Sequence, residues 1–292
     1  MKHELRLLLV ALQFLTRVPL PRRLAQWVGY RAEWLEASAR YFPLVGAAVG
    51  GVAALCLWLA AAWWPPVVAV LLSMAASLVL TGAFHEDGFA DVCDGLGGAV
   101  DRERALQIMK DSRLGSYGVI GITLLLALKA AALASLPLST ACAALVLAHT
   151  VSRAAAVGLM RWLPYAGEPE RSKAAPLARR STSAGWGVAL AWPLAALAGC
   201  VALAGAQAVG TGASVAAGAG AGAGAAAGAG YAAPAAWLLA CAAAAVAAWL
   251  CGRWFLARLG GFTGDCLGAA QQVSEVAVYL ALLAFQAGAA AA

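Results

Sequence analysis

From Tyr41 to Phe84 the sequence carries no Asp, Glu, Lys or Arg, and a second uncharged stretch runs from Ser181 to Gly252. A helix needs only about 20 apolar residues to cross a bilayer, so such stretches are long enough for paired crossings. Composition agrees: 63% of the residues are hydrophobic and 12% are charged, against roughly 25% charged in a soluble domain. A water-soluble globular protein and a disordered chain are both excluded on that count. The chain reads as an all-α, polytopic helical bundle. About seven transmembrane helices and an amphipathic N-terminal helix form a single membrane domain over residues 1–292.

The breaks in the apolar pattern set the spans. Trp63-Trp64-Pro65-Pro66 splits the first stretch into a hairpin at about 43–63 and 66–84, with aromatics at the interface and prolines in the turn. Further spans are expected at about 117–136, from Pro137 to about 160, at 185–206, 234–256 and 275–291. Leu5, Leu8, Leu9, Leu12 and Leu15 recur at helical spacing, so residues 1–42 read as an interfacial segment. The Gly/Ala-rich run inside 207–233 reads as a low-complexity outer connector.

Basic residues orient the bundle. Seven fall within the N-terminal 42 residues, four in the loop 85–116, five in 161–184, and Arg253 and Arg258 border the loop near 260. Only Lys129 and Arg153 of the 20 Lys and Arg lie elsewhere. That asymmetry places the N-terminus in the cytoplasm. It also accounts for the net charge of +6 without nucleic-acid binding. The seven cysteines are odd in number and contain no CxxC pair, so they read as small apolar residues, not as a disulfide or zinc framework.

Chemistry concentrates in FHEDGFADVCDGLGG, residues 84–98, a cytoplasmic acidic loop within 85–116. Asp87, Asp91 and Asp94 stand at i, i+4 and i+7, one face of a helix, and are three of only six aspartates in the chain. Like charges so close repel one another, more so at a membrane edge. A divalent cation, Mg²⁺ or Mn²⁺, relieves the conflict and takes hard carboxylate oxygens together with substrate phosphate. Asp87, Asp91 and Asp94 are therefore the expected metal ligands. With Glu86 they are the catalytic candidates. His85 joins them as a substrate-binding candidate, although a single His usually makes a local hydrogen bond.

Two further clusters flank apolar helices. IMKDSRLGSYG at 108–118 supplies Lys110 and Arg113 with Asp111 between them, cations suited to a pyrophosphate whose charge a metal neutralises only in part. LGGFTGDCLGAAQQ at 259–272 sets Asp265 among glycines, able to bind a metal or a sugar hydroxyl. Arg153, near the cytoplasmic end of the fourth span, is a further phosphate candidate. Lys129, inside the third span, is read as snorkelling or paired with an acid.

Together these segments resemble the cobalamin synthase family, the adenosylcobinamide-GDP ribazoletransferases. The resemblance rests on FLTRVPLP at 14–21, FHEDGFADVCDG at 84–95, IMKDSRLGSYGV at 108–119, SR at 152–153 and GGFTGDCLGA at 260–269. It implies a Mg²⁺-requiring enzyme of the bacterial inner membrane, with its active site on the cytoplasmic side. Such an enzyme joins adenosylcobinamide-GDP to α-ribazole or its 5′-phosphate and releases GMP. Membrane lipid, and other enzymes of the late corrinoid pathway, are its expected neighbours. In that setting Lys110, Arg113 and Arg153 would bind phosphate, and Asp265 a second metal or a substrate sugar.

Two rivals fit less well. A CDP-alcohol phosphotransferase shares Asp91-x-x-Asp94-Gly95, but Gly98-Ala99 stands where that family has Ala-Arg, and Ala105 where it has its final acid. An ion-coupled transporter would carry its acids near the bilayer midplane on interrupted helices. Here they gather at the cytoplasmic boundary, and no inverted repeat is visible.

Overall fold

The computed structural model describes residues 2–29, 31–167, 182–216 and 233–291. Among these the protein is helical and strand-free, with one isolated bridge between Tyr165 and Phe262. Helix α1 (Lys2–Leu15) is amphipathic and buries Leu7, Val10, Ala11 and Leu15. The short helices α2 (Arg22–Val28) and α3 (Ala32–Ser38) follow. Helix α3 then runs through a 3-10 turn (Ala39–Tyr41) into α4 (Phe42–Ala60). The continuous rod Ala32–Ala60 has 29 residues, so the first span begins inside the segment expected to be interfacial.

After the Trp-Pro turn, α5 (Pro66–Thr81) leads into α6 (Phe84–Gly98) across a bend of 90°. Two successive left-handed residues make the bend, Gly82 at φ 68° and Ala83 at φ 55°. Glycine adopts that conformation freely; alanine does so at a cost. The side chain of Arg17 lies against Gly82, and its backbone N–H donates to the carbonyl of Leu80 at 2.7 Å. Continuing α5 straight on would carry four acids along the apolar axis. The bend instead turns them aside as a separate helix.

Helix α7 (Arg102–Met109) precedes α8 (Ser116–Ala134) and α9 (Leu138–Trp162). Helix α10 (Ser183–Ala216) continues beyond the expected end of its span into the segment read as a connector; 217–232 lie outside the described residues. Helix α11 (Pro234–Leu259) and helix α12 (Gly264–Ala291) complete the bundle. The last span thus begins at Gly264, not near 275. Among the described residues, six helices are long and apolar enough to cross a membrane, and up to seven if the bent α5–α6 pair is one span.

Helices α9 and α12 form the centre, with α4 pressed against α9. The closest approach is at Gly46 and Gly50, a small-xxx-small stripe of the kind that lets membrane helices touch backbone to backbone. A Cβ at Gly46 would strike the carbonyl oxygen of His149, and one at Gly50 that of Leu145.

Three loops meet at one end of the bundle. Arg102 donates from Nε to the Leu259 carbonyl at 2.7 Å and from Nη2 to that of Ala166 at 3.1 Å, and Arg258 Nη2 donates to the Ala99 carbonyl at 2.7 Å. The bridge Tyr165–Phe262 adds backbone bonds from Phe262 N–H to Pro164 and from Ala166 N–H to Phe262. These are the loops after α6, α9 and α11, which the basic residues assign to a common side. Their direct contact requires helices α8 to α11 to pair up and down between them.

Candidate active site

Helix α6 distributes its polar side chains in three directions. His85 and Glu86 face inward, Asp87 is exposed, Asp91 is half-buried, and Asp94 is 8% exposed. The start of α12 packs against α6 so tightly that a Cβ on Gly88 would stand 2.9 Å from the Asp265 Cα. Only a glycine lets that carboxylate-bearing turn reach the acids of α6. The result is a cluster drawn from two helices. Asp265, Asp87 and Asp94 each repel the charge on Asp91, and Asp87 repels that on Asp265. Among the described residues, no cation pairs with Asp87, Asp91 or Asp265.

Asp94 makes contacts that its spacing does not announce. Its Oδ2 accepts the Gly115 N–H at 2.7 Å and its Oδ1 the Gly118 N–H at 2.8 Å. Gly115 is the N-cap residue of α8, so Asp94 caps that helix from another element, satisfying amides that have no intrahelical acceptor. The anion also meets the positive end of the helix dipole. Asp265 thus joins Asp87, Asp91 and Asp94 in one acidic cluster, in which Asp94 also fixes the frame of α8.

The donor set can accommodate a hard divalent cation. Among the described residues no three His, Cys, Asp or Glu side chains converge as a closed cage. Mg²⁺ does not require one, since it commonly takes one or two carboxylates and completes its shell with water and substrate phosphate. Crowded carboxylates without a counter-charge fit that mode of binding.

Lys110, Asp111 and Arg113 occupy the turn between α7 and α8. Arg113 donates to Asp111 from Nη2 at 2.6 Å and from Nε at 3.0 Å. That guanidinium holds the Asp111 carboxyl down to about 2. The pair therefore stays ionised at any physiological pH. Lys110 and Arg113 are both exposed, and Arg113 and Asp111 line a cavity with Asp94 and Gly98 at the end of α6.

Arg153 lies elsewhere, 2% exposed in a network centred on Glu275, a residue outside every motif quoted above. Glu275, fully buried, accepts Lys129 Nζ at 2.6 Å and lies 2.9 Å from His149 Nδ1 and 3.7 Å from Arg153 Nη1. His149 Nδ1 serves either Glu275 or Arg153 Nη1, not both. With its proton on Nδ1 it donates to Glu275, and Arg153 keeps the His149 carbonyl at 3.0 Å. Lys129 also donates to Gln272 Oε1 at 2.9 Å, and Gln272 Nε2 donates to Glu86 Oε1 at 2.7 Å. Gln271 bonds Glu275 and, at 3.3 Å, Ser152.

Glu86 thus joins the acid helix to this interior. Its Oε2 is buried without a hydrogen-bond partner among the described residues. His85 looks into a small cavity of about 40 Å³ that Arg153 and Gln271 also line. The signal that could have found Glu275 is charge balance. Two cations inside spans, Lys129 and Arg153, require an acid at similar depth.

This arrangement accompanies a sequence match along nearly the whole chain. Residues 7–283 match the model of the cobalamin-5-phosphate synthase family. The chain belongs to that family. Curated relatives named adenosylcobinamide-GDP ribazoletransferase include one from Leptothrix cholodnii, 55% identical over 97% of this chain and 96% of the relative. The relative from Shewanella amazonensis is 42% identical over 97% and 96%, and that from Vibrio cholerae 38% identical over 98% and 96%. No solved structure matches the chain.

Proposed function

We propose that the protein is an adenosylcobinamide-GDP ribazoletransferase, joining adenosylcobinamide-GDP to α-ribazole or its 5′-phosphate in the last assembly step of cobalamin synthesis. Family membership supports the reaction. The observation that carries the site is the crowding of Asp91 by Asp87, Asp94 and Asp265 without a paired cation among the described residues. In the reaction, the 3′-hydroxyl oxygen of the ribazole ribose bonds to the cobinamide-side phosphorus. The bond from that phosphorus to the bridging oxygen breaks, and GMP leaves with its electron pair. The hydroxyl proton passes to a carboxylate, for which Glu86 Oε2, unpartnered and buried, is the best-placed acceptor.

Asp87 and Asp91, with Asp265 opposite, are the proposed ligands of Mg²⁺. When bound, the cation would neutralise pyrophosphate oxygens and stabilise the leaving phosphate charge. Lys110 and Arg113 hold phosphate at the rim, as point charge and planar fork respectively. The positive-inside distribution of basic residues favours the inner membrane, with this end of the bundle in the cytoplasm.

The test is GMP release by the purified full-length protein in detergent, given both substrates and Mg²⁺. Product is expected with wild type and is expected to fall at least about 100-fold with Asp91→Asn or with chelator. A silent wild type, or an unimpaired Asp91→Asn, overturns the reading.

A further inference from the structure

Tyr117, the second residue of α8, is 55% exposed, yet one face of its ring is seated. A Cβ on Gly97 would stand 3.1 Å from the ring Cγ and Cδ1, and one on Gly98 would stand 3.5 Å from Cε2. The contacts reach both edges of the ring, so it lies across the bare backbone at the end of α6. The exposed ring lines a cavity of about 390 Å³ with Ile108, Asp111, Arg113, Leu114 and Ser116. An interfacial tyrosine that merely anchors a helix among lipid headgroups needs neither two glycines beneath it nor an ion pair in the space above it.

We infer that Tyr117 is a stacking platform for a planar heteroaromatic ring, a subsite on the α6–α8 junction beside the acid cluster. The inference rests on the proposed function, which supplies two such rings: the guanine of the nucleotide-bearing substrate and the base of the nucleoside substrate. A ring already immobilised on backbone loses little freedom when a second ring covers it, and Tyr has only two side-chain torsions to fix. Leu114 and Ile108 give apolar edges to the cavity. Arg113, held flat by Asp111, places a cation where a phosphate attached to the stacked nucleoside would lie. Base–aromatic stacking is worth roughly 5- to 150-fold in affinity.

The experiment is equilibrium dialysis of GMP, and separately of α-ribazole, against the purified full-length protein in detergent, with wild-type turnover measured on the same preparation. Tyr117→Leu is expected to weaken one ligand at least about 5-fold and leave the other unchanged. Tyr117→Phe and Tyr117→Trp, which keep a stacking face, are expected to stay within about 3-fold of wild type. Loss of GMP assigns the subsite to guanine, and loss of α-ribazole assigns it to the nucleoside base. The inference is overturned if Tyr117→Leu changes neither ligand, weakens both alike, or is matched by Tyr117→Phe. A wild type that binds in a Tyr117-dependent way but turns nothing over contradicts the proposed reaction and leaves the platform standing.

Discussion

Asp91 stands among three like charges, two on its own helix and Asp265 brought in by the packing of α6 on α12, and that cost has a measurable signature. Asp91→Asn removes the repulsion while keeping the shape, so in chelator the variant is expected to melt at or above the temperature of wild type even as activity is lost. Asp94→Asn should do the reverse. It replaces an acceptor of an α8 amide with a donor and is expected to cost about 2 kcal/mol of stability, read as a lower melting temperature with and without Mg²⁺. Spacing correctly brought out the acidity of this helix but could not separate these duties. The amides that claim Asp94 lie 21 and 24 residues away, beyond any local pattern. Lys129 and Arg153 stood out as charges inside apolar runs. Glu275 did not, because Gln271, Gln272 and Ser274 beside it resemble the end of a loop, whereas their hydrogen bonds let that polar run belong to a buried helix. Removing one partner from such a site leaves a charge uncompensated: Glu275→Leu is expected to cost about 3–5 kcal/mol, with Lys129→Met recovering part of it in the double variant. Denaturation of the four proteins in detergent measures that coupling.

Among the elements, the α5–α6 joint shows what a sequence conceals. The breaks at Trp63–Pro66 and at Pro137 are legible because proline ends a helix for a chemical reason. Thr81-Gly82-Ala83 carries no proline, and a left-handed alanine is fixed by its setting: the Ala83 N–H donates to the Leu78 carbonyl at 3.0 Å, and Arg17 packs against the adjoining Gly82. Ala83→Gly should relieve about 1 kcal/mol of backbone strain and raise the melting temperature while the bend stays. At the α4–α9 crossing, any side chain at Gly46 strikes the His149 backbone carbonyl first and the Arg153 side chain beside it. Gly46→Val is therefore expected to destabilise the bundle by about 2–3 kcal/mol and to lower the yield of folded protein.

For the molecule as a whole, the uncharged stretches were enough to place the spans and to count them to within one, because the bilayer admits few alternatives. What they could not supply was the joining of α3 to α4, the early start of α12, or the Arg102 and Arg258 ties. Each depends on tertiary partners. Sidedness is open to a direct check with Val100→Cys and Trp63→Cys, at exposed positions near opposite ends of the bundle. In cells, a membrane-impermeant thiol reagent is expected to label the second and spare the first. The interior adds a consequence of its own. Helix α12 is synthesised after α8 and α9, so Lys129 and Arg153 enter hydrocarbon before Glu275 exists to neutralise them. A nascent chain arrested short of Gly264 carries two cations at a depth where each is penalised. The charge buried in α8 and α9 is thus balanced only when the last helix arrives with Glu275.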